Sequence, residues 1–200
     1  MMRFYLIRHG LKESTSHDPS LTEIGLKQAE TTADHLKEIT FKEIVASPKK
    51  RTQQTAKKLA EAVELSIITD NRLQERMEWE ADKTLEEFVE EWYKTDKDRT
   101  YLPTKGSSSY GKGEQMRTVL DDLSEKHRDG NVAIVTHGGA IGDLLRHLFD
   151  EEKLVTRTKA SNDIKYIDIF ECSITVIEKD GEDYQLIKFG DTSHLPIPLT

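Results

Sequence analysis

The sequence predicts an α/β fold, a three-layer α/β/α sandwich around a mostly parallel central sheet. Three observations predict it. Short β-branched and aromatic runs alternate with stretches whose apolar residues recur every three or four positions, the rhythm of strand–helix–strand units. One run, Asn131-Val132-Ala133-Ile134-Val135, is almost continuously apolar, as strands covered on both faces are. The chain has 200 residues, 36% of them hydrophobic and 33% charged, which suits one domain with its own core under a charged surface.

In chain order, residues 3 to 7 read as a buried strand that stops at Arg8-His9-Gly10. Leu21, Ile24, Ala29, Ala33 and Leu36 mark one face of a helix, with Ser20 and Glu23 as its capping box. Glu43-Ile44-Val45-Ala46 is a short strand; Ser47 caps and Pro48 opens the next helix, which turns Ala56, Leu59, Ala60 and Val63 inward. Ser66 to Thr69 form a third strand. Thr84 and Glu87 match a capping box for a helix that buries Leu85, Phe88, Val89 and Trp92. From Lys94 to Gly113 the chain is polar and rich in Gly and Ser, an excursion from the α/β rhythm rather than a linker. Met116, Val119, Leu120 and Leu123 give a further helix, and Ile141, Leu144, Leu145 and Leu148 the one after the apolar strand. Ser173 to Phe189 read as two strands joined at Asp180-Gly181. A single domain over residues 1–200 follows, with a lid or insertion at about residues 76–113.

The net charge is -8, which argues against general nucleic-acid binding, because that affinity comes from basic residues meeting phosphates. No apolar run reaches the length of a membrane span, and the first residues are too short an apolar stretch for a signal peptide. Cytoplasmic location is the expectation. The single cysteine, Cys172, lies in an apolar run and reads as a buried thiol.

Two strands end in histidine followed by glycine: Arg8-His9-Gly10 and Thr136-His137-Gly138-Gly139. Parallel α/β sheets bind ligands outside the carboxyl ends of their strands, so these distant segments can meet. Glycine lets the backbone approach a ligand, and the helix after Gly139 points its N-terminus at the same rim, which suits an anion. Arg51 follows the end of a third strand. The cluster Arg8, His9, Arg51 and His137 offers two guanidinium forks for a phosphate and a neutral imidazole as nucleophile. Phosphoryl transfer needs positioning and charge neutralisation above all. A carboxyl group must then protonate the leaving oxygen. Glu75 is the best placed candidate, with Glu78 and Glu80 as rivals. A zinc site is the competing use of a histidine cluster, but no HxH, HExxH or CxxC spacing occurs, and two arginines beside His9 would repel a cation. No metal and no cofactor is expected. His17, His35, His127 and His147 read as solvated or structural, and His194 as support for the tail.

These residues stand within a longer pattern. Leu21-Thr22, Gly25 and Gln28-Ala29 form LTxxGxxQA; Ser47-Pro48, Arg51-Thr52, Gln54 and Thr55-Ala56 form SPxxRTxQTA; Leu73 and Glu75 form LxE. With Arg8-His9-Gly10, Thr136 to Gly139, Ser173-Ile174-Thr175 and Asp191 to Leu195, the chain resembles the histidine phosphatase superfamily, the phosphoglycerate mutase-like family, over nearly its whole length and in the family's motif order. The resemblance implies a phosphohistidine on His9, phosphate binding by Arg8, Arg51, His137 and Gly138, and Glu75 as proton donor. The chain departs from the pattern at Leu11-Lys12, where the family often has Glu-Thr or Glu-Ser. It departs again across Met77 to Ala81, and at Gly113-Glu114-Gln115 in place of Gly-Glu-Ser. These positions touch the substrate rim. The expected activity is hydrolysis of phosphate monoesters; the alternatives are a cofactor-dependent phosphoglycerate mutase and a non-catalytic module that binds a phosphorylated ligand. The expected partner is a small phosphorylated substrate or a phosphoprotein side chain, with no nucleic acid or membrane involved.

Overall fold

The computed structural model describes residues 1–15, 18–80, 82–150, 154, 158–161, 164–167 and 169–196. Strands β1 (Met2–Arg8), β2 (Phe41–Ala46), β3 (Ile67–Thr69), β4 (Gly130–Thr136), β7 (Ile174–Asp180) and β8 (Asp183–Asp191) form one sheet in the order β3-β2-β4-β1-β7-β8. The first four are mutually parallel; β7 and β8 add an antiparallel edge. Helices α1 (Glu23–Leu36), α2 (Lys50–Val63), α3 (Leu85–Lys97), α4 (Ser109–His127) and α5 (Gly138–Leu148) complete the domain. A separate hairpin, β5 (Thr158–Ser161) with β6 (Ile164–Ile167), has no counterpart in the sequence reading.

Strand alternation builds the three layers. Phe4, Leu6, Val132 and Ile134 face one core with Leu120, Ile141 and Leu144 of α4 and α5. Ile7, Ala133 and Val135 face the other with Leu36, Ala56 and Leu59 of α1 and α2. The two cores lie on opposite faces of the sheet. β4 is central and buried throughout from Val132 to Thr136, which explains its uninterrupted apolar sequence.

Several local expectations change. Thr22, not Ser20, caps α1: its hydroxyl accepts from the Gly25 N–H at 3.0 Å, while Leu21 is buried and Ile24 faces solvent. Ser47 and Pro48 do not start α2. The N-cap is Lys49 without a side-chain bond, and the Lys50 N–H donates instead to Asp18 at 2.9 Å. α3 has the expected capping box of Thr84 and Glu87, but its apolar stripe is not core, since Leu85 is 55% and Val89 54% exposed. The excursion predicted to run to Gly113 ends earlier, because α4 begins at Ser109, capped by Ser108. Gly113 serves helix packing: a Cβ on it would lie 2.5 Å from the Asp143 carbonyl oxygen of α5. Cys172 is buried as expected, and burial pushes its thiol up to about 12. His17 lies outside the described residues.

Candidate active site

Register brings the strand ends level. Arg8 of β1 pairs with Thr136 of β4, and Ala46 of β2 with Val135. The next residues continue the ladder: the His9 N–H donates to the Thr136 carbonyl at 3.0 Å and the Ser47 N–H to that of Val135 at 3.0 Å. His9, Ser47 and His137 therefore stand side by side. The motif positions around them act as clamps. The Gly10 N–H donates to Thr55 Oγ1 at 3.1 Å, the Leu11 N–H to Gln28 Oε1 at 2.8 Å, the Thr22 N–H to the Leu11 carbonyl at 2.9 Å and the Leu21 N–H to Gln54 Oε1 at 2.8 Å. Gly10 and Gly25 meet so closely that a Cβ on Gly10 would lie 2.4 Å from the Gly25 oxygen. From the other side, the Cys172 N–H donates to the Arg8 carbonyl at 3.1 Å.

His9 is almost fully buried, and its Nδ1 lies 2.8 Å from the Gly10 carbonyl oxygen. A carbonyl only accepts, so Nδ1 carries the proton and Nε2 keeps its lone pair. Burial first, and then the Arg8 and Arg51 guanidiniums, hold the ring well below the ordinary imidazole range. The His137 ring stands edge-on to it, centroids 5.3 Å apart, and is lowered too, by burial and then by His9 and Arg51. His137 Nε2 is 2.9 Å from Ser47 Oγ, the bond that takes Ser47 away from helix capping. Each arginine is anchored by one edge. Arg8 donates to the Ile169 carbonyl and to Glu171, both at 2.5 Å, and Arg51 Nη2 donates to Glu78 at 2.8 Å. Arg8 Nε, Arg51 Nε and Nη1, and His137 Nδ1 are buried with no hydrogen-bond partner in the structure. Four buried nitrogens of one cluster without hydrogen bonds, of which, among the described residues, only Arg51 Nη1 faces a carboxylate, Asp18 at 3.7 Å, suit an oxyanion, because buried polar groups are costly to leave unsatisfied.

Glu75 is held between two backbone donors, Oε1 to the Arg76 N–H and Oε2 to the Gly139 N–H, both at 3.1 Å. The Leu73 carbonyl accepts from Thr136 Oγ1 at 2.7 Å, tying this segment to the end of β4. Burial, with Asp143 and Glu78 nearby, raises the Glu75 carboxyl above the ordinary range against the pull of Arg76. Both rivals are ion-paired, Glu78 with Arg51 and Lys49 inside the site and Glu80 with Lys105 on the surface. Gly138 and Gly139 let these groups approach. A Cβ on Gly138 would lie 3.2 Å from Arg8 Cδ, and one on Gly139 2.6 Å from Glu75 Oε1.

One cavity of about 600 Å³ is lined by Arg8, His9, Arg51, Glu75, His137 and Gly138, every candidate that the sequence singled out for phosphate chemistry, together with Glu78. Two further features were not read from the sequence. Arg76, fully buried, donates to both Asp143 oxygens at 2.9 and 3.0 Å and to Asp96 at 2.5 Å, with its Cζ 3.8 Å from the Trp92 ring centroid. The stripe of α3, Leu85, Phe88, Val89 and Trp92, forms an apolar wall of the same cavity. His194 is remote from it, bonding Thr32 of α1 at 3.0 Å and stacking on His35. Among the described residues, no group of three or more His, Cys, Asp or Glu side chains is arranged to hold a metal ion.

Known proteins resemble this chain in sequence and in fold. A probable phosphoglycerate mutase, GpmB of Yersinia pestis strain Pestoides F, is 31% identical, covering 99% of this chain and 97% of its own. The structure of YhfR from Bacillus stearothermophilus superposes with a TM-score of 0.77 at 23% identity, over 97% of this chain and 99% of that one. A phosphoserine phosphatase of Entamoeba histolytica, solved with 3-phosphoglyceric acid, superposes at 0.76 with 23% identity, over 98% and 100% of the two chains. The profile of the histidine phosphatase superfamily (branch 1) matches residues 4–192, so the chain belongs to that superfamily.

Proposed function

We propose that the protein is a metal-independent phosphatase that hydrolyses phosphate monoesters through a phosphohistidine on His9. The observation that carries the reading is the hydrogen bond from His9 Nδ1 to its neighbour's carbonyl, which fixes the tautomer with a lone pair on Nε2 beside buried nitrogens that lack hydrogen bonds. In this reading Arg8, Arg51, His137 and the Gly138 end of α5 hold the phosphoryl oxygens. His9 Nε2 attacks phosphorus in line as the P–O bond to the alcohol breaks. Glu75, whose carboxyl burial raises above the ordinary range, gives its proton to the departing oxygen. It then takes a proton from water, whose oxygen attacks phosphorus; the P–N bond breaks, and inorganic phosphate and neutral His9 are restored. The segment from residue 76 to the start of α4 covers the rest of the substrate. The reading sets the enzyme in the cytoplasm, in keeping with its one buried, unpaired cysteine.

The test is phosphate release from an aryl phosphate in excess chelator, with acid quenching to trap the labelled intermediate. Turnover persists in chelator, and His9→Ala lowers it by at least about 10³-fold and abolishes labelling, while circular dichroism shows an intact fold. Loss of activity in chelator that a divalent ion restores would refute the mechanism. The name of the Yersinia relative favours a second reading, a mutase that returns the phosphoryl group to phosphoglycerate. It predicts interconversion of 2- and 3-phosphoglycerate faster than release of free phosphate.

A further inference from the structure

The floor of the cavity explains a phosphate; its outer wall describes what the phosphate is attached to. Leu85, Phe88, Val89 and Trp92 recur at the spacing of one helix face, yet no core covers that face, and Leu85 and Val89 are more than half exposed. The Phe88 and Trp92 rings lie 5.8 Å apart, and the Trp79 indole N–H is already satisfied by the Lys83 carbonyl at 2.9 Å. A wall of this kind has no use for hydroxyls. Beyond Arg8 and Arg51, the cavity is lined among the described residues by Lys12, Arg76 and Arg146, and the two arginines face Asp96 and Asp143. The volume of about 600 Å³ leaves room for more than a phosphate.

Resting on the phosphatase reading, we infer that the preferred substrates are monoesters of hydrophobic alcohols, alkyl or aromatic, whose apolar group sits on the α3 stripe. Phosphates of polyhydroxylated alcohols are poorer substrates, since the stripe gives their hydroxyls no partner. Water excluded from Leu85, Val89 and the two rings supplies the discrimination, and it grows with the apolar area covered.

The experiment compares ethyl, butyl, hexyl and 2-phenylethyl phosphates with glycerol 3-phosphate on the full chain. Simple primary alcohols are similarly poor leaving groups, so differences within the alkyl series report binding rather than intrinsic reactivity. The expected kcat/KM rises about three- to fourfold per methylene while the wall is being covered, and the phenylethyl ester exceeds glycerol 3-phosphate by about 100-fold. In Leu85→Gln/Val89→Gln, which alters exposed positions, the hexyl-to-ethyl ratio falls on the order of tenfold while inhibition by inorganic phosphate stays where it was. A flat alkyl series, a faster glycerol 3-phosphate or an unmoved ratio in the double variant overturns the inference. Calorimetric affinities of the same esters for His9→Ala separate the two proposals. If no ester is hydrolysed the phosphatase reading falls, and the dependence of Kd on chain length still decides this one.

Discussion

At His9 a backbone carbonyl chooses the tautomer, and two guanidiniums and burial keep the ring neutral, so nucleophile strength does not depend on a carboxylate partner. Glu75 is the complementary case, a carboxyl that desolvation raises above the ordinary range, as the proposed proton donor requires. Glu75→Gln keeps the shape and removes the proton. Hydrolysis of an alkyl ester then falls by about 10²–10⁴-fold, whereas a nitrophenyl ester, whose leaving group needs little protonation, loses far less. Equal losses on both esters in stopped-time phosphate assays would take the role from Glu75. At this scale the sequence was informative where a residue type has one good use: histidine before glycine at a strand end, arginine beside it. It was silent on Glu78 as the partner of Arg51, and on Arg76 with Asp143, because an ion pair between residues 67 apart leaves no local signature.

Among the elements, α3 departs most from what its pattern promised. Periodicity shows that an apolar stripe exists and says nothing of what covers it; here it faces a cavity. The helix is moored by polar links instead: Glu91 accepts from Thr104 and Lys83, and Asp96 from Arg76. A helix held this way depends on its cap. Thr84→Ala, which removes the capping box, costs α3 about 1 kcal/mol. The expected result is a raised KM for bulky esters and faster amide exchange in residues 85–97, with global unfolding little changed, since neither of the main cores draws on α3. The start of α4 was hidden for the opposite reason. Ser, Gly and Lys at 106–113 look like a loop, but Gly113 is small so that α4 can approach α5.

For the whole molecule, strand order decides where chemistry gathers. β4, β1 and the α1/α2 face were legible because a doubly covered strand and one-faced helices leave strong patterns. The hairpin β5–β6, two strands of four residues each, leaves none. Burying His9 and His137 neutral also couples stability to pH. Their folded pKa values lie below the unfolded value of about 6.5, so below it the unfolded chain binds protons that the folded one refuses. Stability is full above about pH 7 and declines as pH falls, with a slope approaching about 1.4 kcal/mol per pH unit for each ring. Glu75, with its raised value, works in the opposite sense, gaining on acidification. Urea midpoints between pH 7.5 and 5 should fall in the wild type and fall less steeply in His137→Asn. A midpoint independent of pH would contradict the buried neutral rings.

β1 lies between β4 and β7, and the turn at 169–173 grips Arg8. The strand that leads into His9 is therefore enclosed by pairing with two segments far along the chain, residues 130–136 and 174–179. Seating that ring is a non-local event, and contacts of such long sequence separation form slowly in folding.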